Sequence, residues 1–188
     1  MKLSRRDILT IPNLLSMIRI MLIPLFMWMY MHGHTVWTAA LLLLSGATDI
    51  VDGYIARRFN QISDVGKVLD PLADKLTQAI MLLCLTTRVP VMRLTLKLLI
   101  AKECLTAVSG IIVILRTGNV LGAQWHGKAT TMLLYGMMIL HVVWKEIPLW
   151  MSNALNAGCA AMMLLSMVLY VRRNLSVVRF ASAKGKSE

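Results

Sequence analysis

Six stretches of apolar sequence follow one another through the chain, at 12–31, 35–56, 68–87, 94–115, 128–145 and 148–171. Each is close to the roughly 20 residues that a helix needs to cross a hydrocarbon core about 30 Å thick. Backbone amides in lipid find no water, so a segment of that length satisfies its hydrogen bonds internally, as a helix. The expected fold is therefore an all-α integral membrane protein, a six-transmembrane-helix bundle. Six spans use most of the 188 residues, which predicts a single membrane domain over 1–188. Only 15% of residues are charged and 57% are hydrophobic, whereas soluble domains carry roughly 25% charged residues. A soluble globular domain, a disordered chain and a disulfide-stapled secreted module are excluded. The connections are short except at 57–67 and 116–127, and the basic tail 172–188 is expected to lack regular structure. No signal peptide is expected, because the first apolar block is too long and shows no small-residue cleavage pattern.

The net charge is +11. In a soluble chain that would suggest nucleic acid; in a membrane protein, lysine and arginine gather in cytoplasmic loops and meet anionic lipid. No nucleic-acid partner is expected. With the N-terminus in the cytoplasm, the inner segments hold Lys2, Arg5, Arg6, Arg57, Arg58, Lys67, Arg116, Lys128, Arg172, Arg173, Arg179, Lys184 and Lys186. The outer segments hold only Arg88, Arg93 and Lys145. That asymmetry places both termini on the cytoplasmic side of the cell membrane. Cys84, Cys104 and Cys159 each sit inside an apolar block without a CxxC pair and read as packing residues. His32, His34, His126 and His141 show no metal-ligand spacing and read as surface or packing residues. Trp28, Trp37, Trp144 and Trp150 near outer span ends, and Trp125 near an inner one, suit an aromatic belt.

Of nine carboxylates, four form one arrangement: Asp49, Asp52, Asp70 and Asp74. Asp49 and Asp52 share a face near the inner end of the second span; Asp70 and Asp74 share a face at the inner start of the third. All four lie at similar depth, a few turns below the cytoplasmic surface. A carboxylate there costs several kcal/mol unless it is paired, coordinated or wet. Divalent cations are the simplest neutraliser, two of them for four acids. Oxygen-only ligands favour Mg²⁺ or Mn²⁺, and paired metals suit phosphoryl chemistry. Gly53 and Ala56 leave one helix face nearly bare, and Arg57 closes the same turn with a fork of donors suited to phosphate. Gly66 precedes the third span, where Pro71 fits a helix start. Two rival readings are a buried ion network with Arg57, Lys67 and Lys75, and a cation- or proton-coupled transporter.

Residues 49–74 run DIVDGYIARRFNQISDVGKVLDPLAD, the form D-x2-D-G-x2-A-R-x8-G-x3-D-x3-D with every defined position present. This resembles the defining motif of the CDP-alcohol phosphotransferases (CDP-alcohol phosphatidyltransferases), six-helix membrane enzymes that are usually dimeric. The resemblance implies that Asp49, Asp52, Asp70 and Asp74 hold two Mg²⁺ or Mn²⁺ ions beside the pyrophosphate of CDP-diacylglycerol. It implies that Asp52, Gly53, Ala56, Arg57 and Gly66 bind the CDP-lipid and that Asp74 is the general base. Substrates would be the CDP-lipid and a small phosphorylated alcohol, and the chain a homodimer with its active site facing the cytoplasm.

The stretch GKVLDPLADK and the opening IPNLLSMIRIMLIPLF are similar to the phosphatidylglycerophosphate synthase branch, which transfers the phosphatidyl group to sn-glycerol 3-phosphate. In the opening, Asn13, Ser16 and Arg19 recur every three residues and share a polar face, with Arg19 expected to point into the bundle. Lys102, Arg116 and Lys128 would bind the acceptor: Lys102-Glu103 resembles an Arg-Glu pair of that branch, and Trp125-His126-Gly127-Lys128 its Trp-x-Gly-Lys. The chain also departs from the branch. It lacks the further arginine shortly after the pair, and it reads Gly127-Lys128-Ala129-Thr130-Thr131 where a second lysine is usual. The alternative within the family is a cardiolipin synthase of the transferase type, with phosphatidylglycerol as acceptor.

Overall fold

Each apolar block becomes a helix whose ends fall where the local sequence stops favouring one. The computed structural model describes residues 11–58, 66–118, 121–122 and 124–184, the side chains of 11–12, 49–58, 66–68 and 180–184 excepted. Among the described residues there are six helices: α1 (Ile11–Met31), α2 (Thr35–Arg58), α3 (Gly66–Leu85), α4 (Met92–Thr117), α5 (Trp125–Val143) and α6 (Leu149–Lys184). Between α1 and α2, Gly33 takes φ +77° and the His34 N–H reaches the Met29 carbonyl at 3.0 Å. Gly118, at φ +68°, closes α4 by donating its N–H to the Ile114 carbonyl at 2.8 Å. Both positions need the left-handed region that glycine enters without a Cβ clash.

Two expectations are corrected. Arg172 to Lys184 continue α6 as helix rather than forming an unstructured tail. No proline or glycine interrupts that segment before Gly185, and helix propagation depends on such breakers rather than on where an apolar run ends. Pro71 lies inside α3, not at its first residue. With no N–H to give, it interrupts the hydrogen-bond ladder one turn into the helix, beside Asp70.

The distribution of side chains is the reverse of a soluble protein's. Leu14, Met21, Leu115, Met132 and Leu149 are exposed, while Asn13, Ser16, Arg19, Gln78, Thr95, Lys102, His126, Asn156, Ser166 and Asn174 are buried. Polar groups gather inside when the surroundings are apolar and helices adhere through hydrogen bonds. By length and composition, the segments Asn13–Met31, Met92–Thr117 and Leu149–Arg179 can each cross a membrane. The helical, apolar-surfaced chain is consistent with a multi-pass membrane protein.

By compactness the chain divides into two units, Met1–Pro90 with Met138–Ile147, and Val91–Met137 with Pro148–Glu188. In the first, α1 packs on α2 and α3 around Leu42, Ala73, Met81, Leu82 and Leu85. In the second, α4 lies along α6 around Leu99, Val113, Leu134 and Met163. Two polar pairs set the register of α4 on α6. Thr95 Oγ1 donates to Asn156 Oδ1 at 2.7 Å, and Asn174 Nδ2 donates to Ser109 Oγ at 2.9 Å. Residue numbers rise together in the two pairs, so α4 and α6 run parallel. The start of α5 meets α6 in the opposite sense, His126 with Ser166 at 2.9 Å and Thr130 with the Met162 carbonyl at 3.4 Å.

Candidate active site

The four-residue spacing of Asp70 and Asp74 on α3 sets both carboxylates on one face, and each meets a neutral donor. Ser16 of α1, fully buried, donates its hydroxyl to Asp70 Oδ1. Gln78, one turn further along α3 and also buried, donates Nε2 to Asp74 Oδ2 at 2.8 Å. Lys75 brings its ammonium no closer than 3.8 Å to Asp74 Oδ2, with its side chain about a third exposed. That separation, screened by solvent, is worth little. Of the rival ion network's cations, Lys75 is the one whose side chain is described; the side chains of Arg57 and Lys67 lie outside the described residues.

The face expected along α1 is present: Asn13, Ser16 and Arg19 are each no more than 1% exposed. Arg19 points inward, as its depth in an apolar helix requires, rather than extending to an interface. With Ser45 and Thr77 it supplies the polar lining of a small cavity that is otherwise apolar, with Phe26, Leu42 and Ile80 among its walls. Asp49, Asp52, Gly53, Ala56 and Arg57 belong to the last turns of α2, and Gly66 begins α3. Their side-chain placement lies outside the described residues.

The donor chemistry fits a hard divalent cation. Carboxylate oxygens are the ligands that Mg²⁺ and Mn²⁺ prefer, and Asp70 and Asp74 set theirs on one face of α3, where Ser16 and Gln78 donate to them. Among the described residues no three His, Cys, Asp or Glu side chains converge. Asp70 and Asp74 would supply two of the ligands, and Asp49 and Asp52 would have to supply the others.

The second unit carries the three expected acceptor cations, Lys102 and Arg116 on α4 and Lys128 on α5. Lys102, in the middle of α4, is buried and pairs with Glu103 Oε1 at 2.6 Å. Arg116 and Lys128, the other expected acceptor residues, are exposed. His126 is buried rather than superficial, with Nδ1 2.9 Å from Ser166 Oγ and its ring edge-on to Tyr170, centroids 4.6 Å apart. Burial first, then the charges of Arg173 and Lys102, hold its pKa below the ordinary value of 6.5. The imidazole is accordingly neutral near pH 7. Tyr170 accepts the Gln124 N–H at 3.1 Å. Arg173 lies 5.2 Å from the centre of the Tyr170 ring and donates Nη1 to the Gly122 carbonyl at 2.9 Å. A Cβ on Gly127 would stand 2.7 Å from the Tyr170 hydroxyl, so glycine is what lets α5 approach α6 here.

Sequence reasoning passed over Gln78, Ser166, Tyr170 and Arg173. Gln78 carried a signal, a polar residue four after Asp74, just before α3 turns wholly apolar. The other three become partners only through the packing of α5 on α6. The three cysteines are unpaired thiols; Cys84 and Cys159 are buried, whereas Cys104 is exposed and is not a packing residue within the chain.

The described helices thus carry apolar surfaces and, on one face of α3, the carboxylate pair that ends the eight-position motif. The family model described as CDP-alcohol phosphatidyltransferase matches residues 9–172, and the chain belongs to that family. It is 43% identical over 107 residues to a Schizosaccharomyces pombe cardiolipin synthase (CMP-forming) / mitochondrial hydrolase fusion protein, covering 57% of this chain and 18% of that one. It is 42% identical over 112 residues to a cardiolipin synthase (CMP-forming) of Streptomyces coelicolor, covering 56% of this chain and 52% of that one. The chain thus spans about half or less of the length of these relatives. With a CDP-diacylglycerol--glycerol-3-phosphate 3-phosphatidyltransferase of Aquifex aeolicus it is 29% identical over 176 residues, covering 90% of this chain and 98% of that one.

Proposed function

We propose that the chain transfers a phosphatidyl group from CDP-diacylglycerol to sn-glycerol 3-phosphate, giving phosphatidylglycerophosphate and CMP. The observation that carries the reaction class is the Asp70–Asp74 pair, one helical turn apart and each held by a neutral donor, at the end of a complete eight-position motif. The choice of acceptor is supported by the near end-to-end match to the Aquifex aeolicus transferase and by the buried cation Lys102 on α4. In this reading the chain is one six-span domain with both termini in the cytoplasm. It acts as a homodimer in the cell membrane, its site opening to the cytoplasm.

Asp49, Asp52, Asp70 and Asp74 would hold two Mg²⁺ or Mn²⁺ ions. When bound, such ions neutralise the pyrophosphate and the charge that develops during transfer. Asp52, Gly53, Ala56, Arg57 and Gly66 would seat the CDP-lipid, the small residues admitting the nucleotide close to the backbone. Asp74 takes the proton of the acceptor hydroxyl. The acceptor oxygen bonds to the phosphorus that carries diacylglycerol, the bond from that phosphorus to the bridging oxygen breaks, and CMP leaves with the electron pair. General-base help of this kind contributes about 10²–10⁴-fold. Lys102, Lys128 and Arg116 would bind the acceptor phosphate.

A second reading has its own support: the relatives at 42–45% identity are named cardiolipin synthases, and the Gly127–Thr131 run lacks a second lysine. Release of CMP by the purified protein separates the two. The reaction contains CDP-diacylglycerol, Mg²⁺ or Mn²⁺, and either glycerol 3-phosphate or phosphatidylglycerol. Release with glycerol 3-phosphate alone is the expected result. Release with phosphatidylglycerol alone moves the chain to the cardiolipin branch, and no release with either refutes the proposed activity.

A further inference from the structure

The first turn of α5 is poorly provided for by its own sequence. It has no acidic residue, it contains Gly127, and Gln124, which precedes it, is not of a type that caps a helix well. Support comes from α6 instead. Met162, Ser166, Tyr170 and Arg173 follow one another at steps of four, four and three residues and so share one face of that helix. Along it, the Thr130 hydroxyl approaches the Met162 carbonyl at 3.4 Å, and Ser166 Oγ lies 2.9 Å from His126 Nδ1. Further on, the Tyr170 hydroxyl accepts the Gln124 N–H at 3.1 Å, and Arg173 Nη1 donates to the Gly122 carbonyl at 2.9 Å. Partner numbers fall as the α6 numbers rise, so the contacts define a single antiparallel register.

Lys128 is tied directly into this arrangement. Its backbone N–H donates to the Gln124 carbonyl at 3.3 Å, while the N–H of the same Gln124 is held by Tyr170. His126 and Thr130, two residues to either side, are buried, whereas Lys128 is exposed. Two residues along a helix is more than half a turn, so anchoring 126 and 130 against α6 turns 128 away from it. The Tyr170 hydroxyl stands 2.7 Å from where a Cβ on residue 127 would be, an approach that only glycine leaves open. A lysine stem is flexible, so the backbone beneath it has to be fixed if the ammonium is to meet a phosphate in one geometry. A misplacement of about 1 Å can cost about 10²-fold in rate.

We infer that Tyr170 and Ser166 of α6 are positioning residues for Lys128: they fix the first turn of α5, and with it the place from which Lys128 meets the acceptor phosphate. The inference rests on the reading of Lys128 as an acceptor residue.

The test is a cycle of Tyr170→Phe, Lys128→Met and the double variant, made in the full chain in detergent. CMP release is measured with CDP-diacylglycerol and the acceptor varied in turn, and backbone hydrogen exchange over residues 124–130 is followed by mass spectrometry. Loss of one neutral hydrogen bond by Tyr170→Phe should lower kcat/KM for glycerol 3-phosphate about 3- to 10-fold, with KM for CDP-diacylglycerol unchanged. Exchange over 124–130 should quicken by a similar factor. In the Lys128→Met background the same change should alter kcat/KM less than about twofold, because residues acting through one another are not additive. Ser166→Ala should repeat the pattern, and takes the place of Tyr170→Phe if that variant does not fold. An equal loss with and without Lys128, or an equal effect on both substrates, would overturn the inference. So would unchanged exchange and turnover in the folded variants, or a Lys128→Met protein that uses the acceptor like the parent. Release of CMP with phosphatidylglycerol alone would instead overturn the proposed acceptor, and the same cycle read with that lipid would then decide the positioning role.

Discussion

Lys102→Met separates two roles that the buried lysine of α4 can have. Its ammonium is 2.6 Å from Glu103 Oε1, yet the Lys102 side chain is 6% exposed and that of Glu103 27%. Removing a partner from a fully buried pair strands a charge and costs about 3–5 kcal/mol. Here Glu103 is only partly buried, methionine fills the volume of the lysine stem, and the cost of burying an ammonium disappears. The net loss of stability should be no more than about 1 kcal/mol, discounted for the exposure of Glu103. Catalysis should respond differently. A charge-assisted bond to the acceptor phosphate is worth about 1.5–3 kcal/mol, and each 1.36 kcal/mol is tenfold in rate.

Lys102→Met should therefore lower kcat/KM for glycerol 3-phosphate roughly 10- to 150-fold. KM for CDP-diacylglycerol should change little. The assay is CMP release with each substrate varied in turn, beside a thermal unfolding curve. Glu103→Gln provides the contrast: it keeps the cation but leaves it buried without its counter-ion, so stability should fall more than affinity for the acceptor. An unchanged KM for glycerol 3-phosphate in folded Lys102→Met, or equal effects on both substrates, would refute a phosphate role and leave Lys102 as the structural partner of Glu103.

Three further outcomes are expected. Asp74→Asn should keep the fold, since an amide oxygen can still accept from Gln78, and should lower CMP release about 10²–10⁴-fold; turnover near the parent's would remove Asp74 from the base role. His126 has a folded pKa below its unfolded value of 6.5, so its stabilising contribution is complete above pH 6.5 and is lost as pH falls from there towards the folded pKa. The thermal midpoint should decline between pH 7.5 and 5.5, and His126→Gln should flatten that decline; an unaltered slope would show that other groups cause it. Gly127→Ala places a Cβ 2.7 Å from the Tyr170 hydroxyl, which must then leave the Gln124 N–H. A loss of about 1–2 kcal/mol, part of it offset by the helix propensity of alanine, should be relieved by adding Tyr170→Phe, and the cycle of the two changes measures the clash.

What could be read in advance divides along physical lines. Helix positions were legible because desolvation of the backbone acts on every residue of a span; the ends agree to within three residues except where α6 runs on. The exception is instructive. Bilayer thickness limits the apolar run at 171, but nothing in the chain stops the helix before Gly185, and the two limits are set by different forces. Arg19 was legible for a similar reason, since a guanidinium deep in an apolar helix can only face inward, and so was the shared face of Asp70 and Asp74. Their partners were legible unequally. Gln78 lies four residues after Asp74, within reach of a helical periodicity argument, whereas Ser16 meets Asp70 only through the packing of α1 on α3. The His126–Ser166 pair, 40 residues apart, was beyond any local pattern. Sequence periodicity states which face a side chain occupies, and only interhelical register states what waits opposite. In an apolar surrounding that register is set by polar pairs such as Thr95–Asn156 and Ser109–Asn174. Hydrogen bonds from neutral donors also reach the site's carboxylates, from Ser16 to Asp70 and from Gln78 to Asp74. A polar residue on the inner face of any of these helices is for that reason as informative about mechanism as one inside the motif.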